Sequence, residues 1–107
     1  MEANGTVKRP DWFLPKEVSE FERQFIAQQK LHTSEPIYLQ ARNLMICAWR
    51  SLPHLYLNLS SCAEQIHLDY FELKKIHAFL MENKLINVEE LTMKSSVPQN
   101  VIQNPLT

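Results

Sequence analysis

The most nonpolar helical pattern in the chain lies between Ser34 and Leu52. Its nonpolar positions recur at the spacing of one helix face, namely Ile37, Ala41, Leu44, Met45, Ala48 and Leu52. A neighbouring stripe contains Tyr38, Met45 and Trp49, and only Arg42-Asn43 interrupts the nonpolar surface. Ser34 and the proline two residues later are typical of a helix start, and Pro53 ends the pattern. We therefore predict a long central helix around which the rest of the chain packs.

A first helix is predicted from Pro15 or Lys16 to about Gln29. Its nonpolar face holds Val18, Phe21, Phe25 and Ile26. The charged residues fall mostly on the other side, where water solvates them: Glu17, Glu20, Glu22, Arg23 and Lys30. The adjacent aromatic residues Trp12-Phe13 are expected to dock onto the core.

The second half of the chain predicts a short helix, a turn and a longer helix. After the alternating leucines Leu55, Leu57 and Leu59, Ser60 or Ser61 is expected to cap a helix from Cys62 to about His67. Asp69 is expected to cap a helix from Tyr70 to Asn83, whose nonpolar face holds Leu73, Ile76, His77 and Leu80, with Phe79 beside them. Residues 85–88 are expected to be extended and to fold back as a strand or wing. This order is typical of a winged helix-turn-helix.

The composition fits one ordinary globular domain. The chain has 107 residues, of which 45% are hydrophobic and 21% are charged. We divide it into a flexible lead-in over residues 1–10, a domain over 11–93 and a disordered tail over 94–107. No signal peptide is visible, and the nonpolar run is shorter than the roughly 20 residues that span a bilayer.

Charge and glycine content narrow the classes of function. The net charge is −1, so any nucleic-acid contact needs a local basic patch. The only glycine, Gly5, precedes the predicted fold, which excludes phosphate sites built on glycine-rich loops. Cys47 and Cys62 lack metal-binding spacing, and we interpret them as reduced thiols of an intracellular protein.

No catalytic residue, metal ligand, cofactor site or small-molecule site stands out in the sequence. The serines at 60 and 61 suit helix capping, and Glu89-Glu90 would diverge along a helix or strand. His77 fits a core histidine with one nitrogen hydrogen-bonded. Arg42-Asn43 fits either an interaction site or a structural role, and we favour hydrogen bonds to backbone carbonyl groups where segments meet the central helix.

Four motifs, in order along the chain, resemble those of the SWIRM domain family. They are Trp12-Phe13 followed by Val18 and Glu22; Ser34, Tyr38 and Arg42-Asn43; Asp69 with Ile76-His77-Ala78-Phe79-Leu80; and Leu85-Ile86-Asn87. The resemblance covers about residues 9–88. On this basis we assign a set of residues to the structural core and family signature: Trp12, Phe13, Tyr38, Arg42, Asn43, Leu44, Trp49, Asp69, Ile76, His77, Phe79, Leu80, Leu85 and Ile86.

The resemblance implies an all-α fold, a compact bundle of about five helices around one long central helix, with a winged helix-turn-helix-like C-terminal half. It also implies a module without catalytic activity in nuclear chromatin proteins, where relatives bind DNA or nucleosomes or dock on a neighbouring domain or subunit. The chain departs from DNA-binding relatives at positions 63–65, where Ala-Glu-Gln replaces arginines. It also lacks the glycines often found at Leu68 and Lys84. We expect Asn83 to adopt the left-handed conformation instead.

Three functions follow as hypotheses. The first is a protein-interaction module that positions a histone-modifying or remodelling complex. The second is a DNA- or nucleosome-binding module that uses Lys74, Lys75 and Lys84, with weak and salt-sensitive binding diluted by Glu72 and Glu82. The third is a structural domain that packs on a catalytic domain of the same chain. No membrane or small-molecule partner is expected.

Overall fold

A computed structural model of the protein describes residues 9–92, which form four helices and no strand. The helices are α1 (Glu20–Gln28), α2 (Glu35–Ser51), α3 (Leu59–Gln65) and α4 (Tyr70–Glu82). The all-α class is confirmed, and α2 is the longest of the four with 17 residues. A fifth helix stays a prediction. Most of the predicted lead-in and the whole predicted tail lie outside the described residues.

Helix α1 begins about four residues later than predicted, because Ser19 forms a capping box with Glu22. The Ser19 hydroxyl accepts from the Glu22 N–H at 3.2 Å, and the Glu22 carboxylate accepts from the Ser19 N–H at 2.9 Å. These two bonds satisfy amide groups that would otherwise lack partners at the helix start. The residues before Ser19 form irregular turns instead of a helical turn.

The buried face of α2 is centred on the aromatic stripe, and four of the six positions that the nonpolar spacing predicted to be buried are exposed. Leu44 is 54% exposed, and Ile37, Ala48 and Leu52 are exposed as well. The buried positions are Tyr38, Ala41, Arg42, Met45, Ile46 and Trp49. The assignment of Leu44 to the core was therefore wrong. Counting nonpolar residues could not identify the correct face, because that face carries an arginine at its centre.

Arg42 is fully buried because it is paired with Glu22, which is also fully buried. Its Nη1 lies 2.8 Å from both carboxylate oxygens of Glu22, and the Tyr38 hydroxyl donates to the same carboxylate at 2.6 Å. The prediction that Glu22 lies among the solvated charges was wrong. Burial, with the hydrogen bond to Glu22, also raises the pKa of Tyr38 well above its usual range.

Three further hydrogen bonds of Arg42 fasten the irregular N-terminal segment to α2. Its Nη1 and Nη2 donate to the backbone carbonyls of Leu14, Pro15 and Glu17, and Asn43 Nδ2 donates to the Pro15 carbonyl at 3.0 Å. The Arg42 guanidinium also lies 4.4 Å from the centre of the Phe13 ring. The expected bonding of Arg42-Asn43 to carbonyl groups is present in the structure.

The helix-turn-helix half is close to the prediction for α4 and shifted for α3. Asp69 caps α4, accepting from Phe71 N–H at 3.1 Å and Glu72 N–H at 3.2 Å. Helix α3 begins before the predicted serines, because Asn58 is its cap and accepts from Ser61 N–H at 2.8 Å. An asparagine oxygen suits that position as well as a serine hydroxyl does.

Two helices end in a Schellman motif that places lysine where glycine is usual. After α4, Lys84 has φ 62° and Leu85 N–H donates to the Leu80 carbonyl at 2.9 Å. After α1, Lys30 has φ 55°, and the N–H of the next residue, Leu31, donates to the Ile26 carbonyl in the same way. The expectation that Asn83 is left-handed was wrong, since its φ is −95°. The Schellman motif places the left-handed residue one position after the C-cap, which is Lys84 and not the C-cap residue Asn83.

Residues 85–88 are buried but form neither a strand nor a bridge. The Asn87 side chain replaces strand pairing: its Oδ1 accepts from Leu57 N–H at 2.7 Å and its Nδ2 donates to the Leu57 carbonyl at 2.8 Å. Asn87 itself has φ 52°, a conformation that asparagine tolerates better than most residues. The predicted wing strand is therefore absent from the described chain.

The Thr92 side chain connects Trp49 in the core to the backbone at Pro53 through two hydrogen bonds. Trp49 Nε1 donates to the Thr92 hydroxyl at 2.7 Å, and that hydroxyl donates to the Pro53 carbonyl at 2.6 Å. Trp49 is 2% exposed, so its indole N–H has no access to water and needs this partner. Thr92 thus belongs to the packed domain.

Candidate interaction surface

A groove lies between α1 and α4, with a volume of about 570 Å³. We call it the α1–α4 groove. Ten residues line it: Phe21, Gln24, Phe25, Gln28, Gln29, Lys75, Ala78, Phe79, Glu82 and Asn83. The α1 side supplies two aromatic rings and three neutral amides, and the α4 side supplies one ring, one small residue, one neutral amide and a pair of opposite charges.

Aromatic rings form the nonpolar part of the groove. Phe25 stacks on Phe79 with ring centres 4.0 Å apart, and Phe21 lies 5.8 Å from Phe79. Trp12 extends the cluster, at 5.0 Å from Phe21 and 5.9 Å from Phe79. Phe21 is 43% exposed, so the cluster presents a nonpolar ring to solvent at the groove. The docking of Trp12 onto this cluster agrees with its predicted role.

Of the three predicted lysine contacts, Lys75 alone lines the α1–α4 groove. Lys75 lines the groove and donates from Nζ to the Gln29 carbonyl at 3.3 Å, whereas Lys74 and Lys84 are exposed and are not among the lining residues. Glu82, on the same helix, also lines the groove. The groove therefore carries no excess of positive charge among its lining residues.

Glu72 has a structural task that the sequence did not reveal. Its carboxylate accepts from the His32 and Thr33 N–H groups at 2.8 and 3.0 Å, and from the Thr33 hydroxyl. Partial burial alone would raise its pKa, but the bonds from Thr33 and His32 outweigh that effect and lower the pKa. Glu72 thus fastens the α1–α2 connection onto α4.

His77 is a buried structural residue. Its Nε2 lies 2.9 Å from the Leu57 carbonyl, and because a carbonyl only accepts, Nε2 carries the hydrogen. Burial lowers the pKa of His77, although the bond to Leu57 opposes that effect. The expectation of a core histidine with one bonded nitrogen is confirmed by this geometry. Among residues 9–92, no group of three potential ligands is placed to hold a metal ion.

We expect the domain to lose stability as the pH falls below about 6.5, the usual pKa of histidine. Below this pH the unfolded chain binds a proton at His77 more readily than the folded chain does. The free energy of unfolding should therefore fall by up to about 1 kcal/mol by pH 5.5. Urea unfolding at pH 7.5 and pH 5.5 measures this loss. His77→Gln should reduce the difference between the two pH values, whereas His67→Gln, at an exposed histidine, should leave it unchanged.

None of the described helices is long and nonpolar enough to cross a membrane. What they form is a small helical module with a partly aromatic groove and mixed charge.

The sequence model of the SWIRM domain matches residues 8–88, which is more than half of the chain. The chain therefore belongs to the SWIRM domain family, and the resemblance carried by its motifs is confirmed. SWIRM domains are non-catalytic helical modules of chromatin proteins that bind proteins or DNA.

Proposed function

We propose that this SWIRM domain is a protein-interaction module that positions a histone-modifying or remodelling complex on chromatin in the nucleus. It does so by holding a segment of another subunit in the α1–α4 groove. The observation that carries this proposal is the groove itself. In it the half-exposed Phe21 lies beside the stacked rings of Phe25 and Phe79, and neutral amide side chains line the same groove.

The chemistry of the groove favours a protein segment. Gln24, Gln28 and Asn83 are neutral and can both donate and accept hydrogen bonds, which suits a peptide backbone. The aromatic floor suits a nonpolar side chain, and such anchors supply most of the affinity in protein interfaces. The segment we infer is therefore a short helix or strand of a partner subunit with one nonpolar anchor and no strong net charge.

DNA is the second candidate, and the structure gives it less support. Three lysines would give a Kd of about 10⁻⁴ to 10⁻⁶ M, the range of nonspecific binding. Lys75 already bonds to Gln29, and Glu82 lies on the same helix. Packing on a catalytic domain of the same polypeptide is the third candidate, and the exposed nonpolar side of α2, with Ile37 and Leu44, is the feature that favours it.

The test is to block the groove in the intact protein with Ala78→Glu. Ala78 is exposed and lines the groove, so a longer charged side chain fills the groove without disturbing the core. Ala63→Glu, at an exposed alanine of α3 that does not line the groove, is the matched control. We expect Ala78→Glu to lose at least one subunit from the purified complex, measured by quantitative mass spectrometry, and to lower its chromatin-bound fraction.

An unchanged subunit composition with Ala78→Glu, at unchanged thermal stability, would refute the groove as the docking site. Titration of duplex DNA at low and moderate salt separates the second candidate. Binding that weakens with salt and is lost in the Lys74→Glu/Lys75→Glu variant would favour DNA over a protein segment. No binding even at low salt would exclude DNA.

A further inference from the structure

A second concave site lies on the outer side of α2, where the segment before α1 crosses the helix. Its volume is about 400 Å³, and it shares no lining residue with the α1–α4 groove. The residues that line it are Arg9, Phe13, Pro15, Asn43, Ile46, Cys47, Arg50 and Ser51. We call it the Arg9–Arg50 pocket. Its wall is nonpolar and its polar side carries two guanidinium groups.

Neither arginine has an acidic partner among residues 9–92. The ion pairs within the described chain join Arg23 to Glu20 and Glu35, and Arg42 to Glu22. Arg9 instead lies with its guanidinium 4.8 Å from the centre of the Phe13 ring. Two unneutralised positive charges at one pocket repel each other, and an anion placed between them would remove that repulsion.

Arg50 is also short of a hydrogen-bond acceptor. Its Nε is buried and has no partner among the described residues, a rare state for a polar atom in a folded protein. Burial, and secondarily the charge of Arg9, lower the pKa of Arg50. Arg50 lines the pocket, and an arginine pairs with a carboxylate through two parallel hydrogen bonds when such a partner is present.

The shape of the pocket argues for a peptide carboxylate over a DNA phosphate. A duplex presents rows of phosphates on a convex surface, and its binding sites need several exposed cations along that row. Here two arginines stand at a concavity walled by Phe13 and Ile46. The net charge of −1 supplies no field that would attract DNA from a distance.

We propose that the Arg9–Arg50 pocket binds an acidic side chain of a partner protein, with a nonpolar neighbour of that residue packed against Phe13 and Ile46. The carboxylate accepts from both guanidinium groups and supplies the acceptor that Arg50 Nε lacks. This site is separate from the groove assigned under the proposed function, so either can fail without the other.

The test uses the full 107-residue chain and a capped hexapeptide of alternating glutamate and leucine as the probe. Arginine Nε–Hε signals in ¹⁵N–¹H NMR spectra report the Arg50 environment directly. We expect the Arg50 signal to move on titration with the glutamate peptide and not with its glutamine counterpart. Arg50→Gln and Arg9→Gln should each weaken peptide binding by about 10-fold, as expected for loss of a charge-assisted hydrogen bond.

Arg23→Gln is the matched control, because Arg23 is an exposed arginine that is ion-paired with Glu35 on the helix surface. It should bind the peptide as the wild type does. Equal binding of the glutamine peptide, or unchanged binding in Arg50→Gln at unchanged thermal stability, would overturn the proposal. An Arg50 signal that responds to a 12-base-pair duplex and not to the peptide would also overturn the proposal. A signal that moves with protein concentration alone would do the same, because it would show that the pocket contacts a second copy of the chain.

Discussion

Replacing Arg42 by methionine should lower the free energy of unfolding by about 3–5 kcal/mol. The change leaves the Glu22 carboxylate buried without its cation, and it removes the donors to the carbonyls of Leu14 and Pro15. A domain of this size has about 5–15 kcal/mol of stability, so much of it would be lost. Urea unfolding followed by circular dichroism measures the change.

Arg23→Met provides the control, since it removes an arginine of α1 whose ion pairs are exposed. Exposed pairs contribute about 0–1 kcal/mol, so this variant should remain close to the wild type. The double variant Glu22→Met/Arg42→Met should be more stable than Arg42→Met alone, because it carries no unpaired buried charge. A loss under about 1 kcal/mol in Arg42→Met would contradict the buried pair.

Met45→Asp should unfold the domain, whereas the same change at the preceding residue should not. Met45 is 1% exposed, so a carboxylate there is buried without a partner, and we expect a loss above about 4 kcal/mol. Leu44 is 54% exposed, and Leu44→Asp should change stability by about 0.5 kcal/mol or less.

Thermal melts of both variants measure the contrast. This pair of substitutions tests which face of α2 is inside. If Leu44→Asp unfolds the domain as Met45→Asp does, the face predicted from nonpolar spacing, which contains both residues, is the buried one. A Met45→Asp variant that melts cooperatively near the wild-type temperature would contradict the burial of Met45.

The sequence predicted α4 well, because local chemistry dictates its start and its buried face. Asp69 precedes a helix with a single nonpolar face, and a side-chain cap acts within three residues of its own position. His77 lies on that face and finds a carbonyl, as a buried imidazole must. The cap and the nonpolar face need no knowledge of distant parts of the chain, whereas the carbonyl that His77 contacts belongs to Leu57, 20 residues away, and was not predicted.

The N-terminal half was predicted less well, because its determinants are distant in sequence. The buried face of α2 depends on Glu22, which lies 20 residues before its partner Arg42. A helix pattern treats both as surface residues, since charges are rarely buried unless paired. One local signal was available: Ser19 followed three residues later by Glu22 is a capping-box pattern, and it would have placed the start of α1 correctly.

The sequence could not predict the α1–α4 groove or the Arg9–Arg50 pocket, because the residues that line each of them are distant in the sequence. The α1–α4 groove brings together Phe25 and Phe79, which are 54 positions apart in the sequence. The periodicity within one helix cannot show which residue of another helix it contacts. The Arg9–Arg50 pocket likewise joins a segment before α1 to the end of α2. The lysines of α4 were identifiable from sequence, but the bond of Lys75 to Gln29 was not.

The bond between Trp49 and Thr92 separates two kinds of domain boundary. The family match ends at residue 88, but the indole of the largest buried side chain finds its acceptor four residues later. A fragment cut where the recognisable sequence stops would leave that N–H unpaired in a dry interior, at a cost of about 1–3 kcal/mol. The family match and the packed domain therefore end at different residues, since packing extends to Thr92.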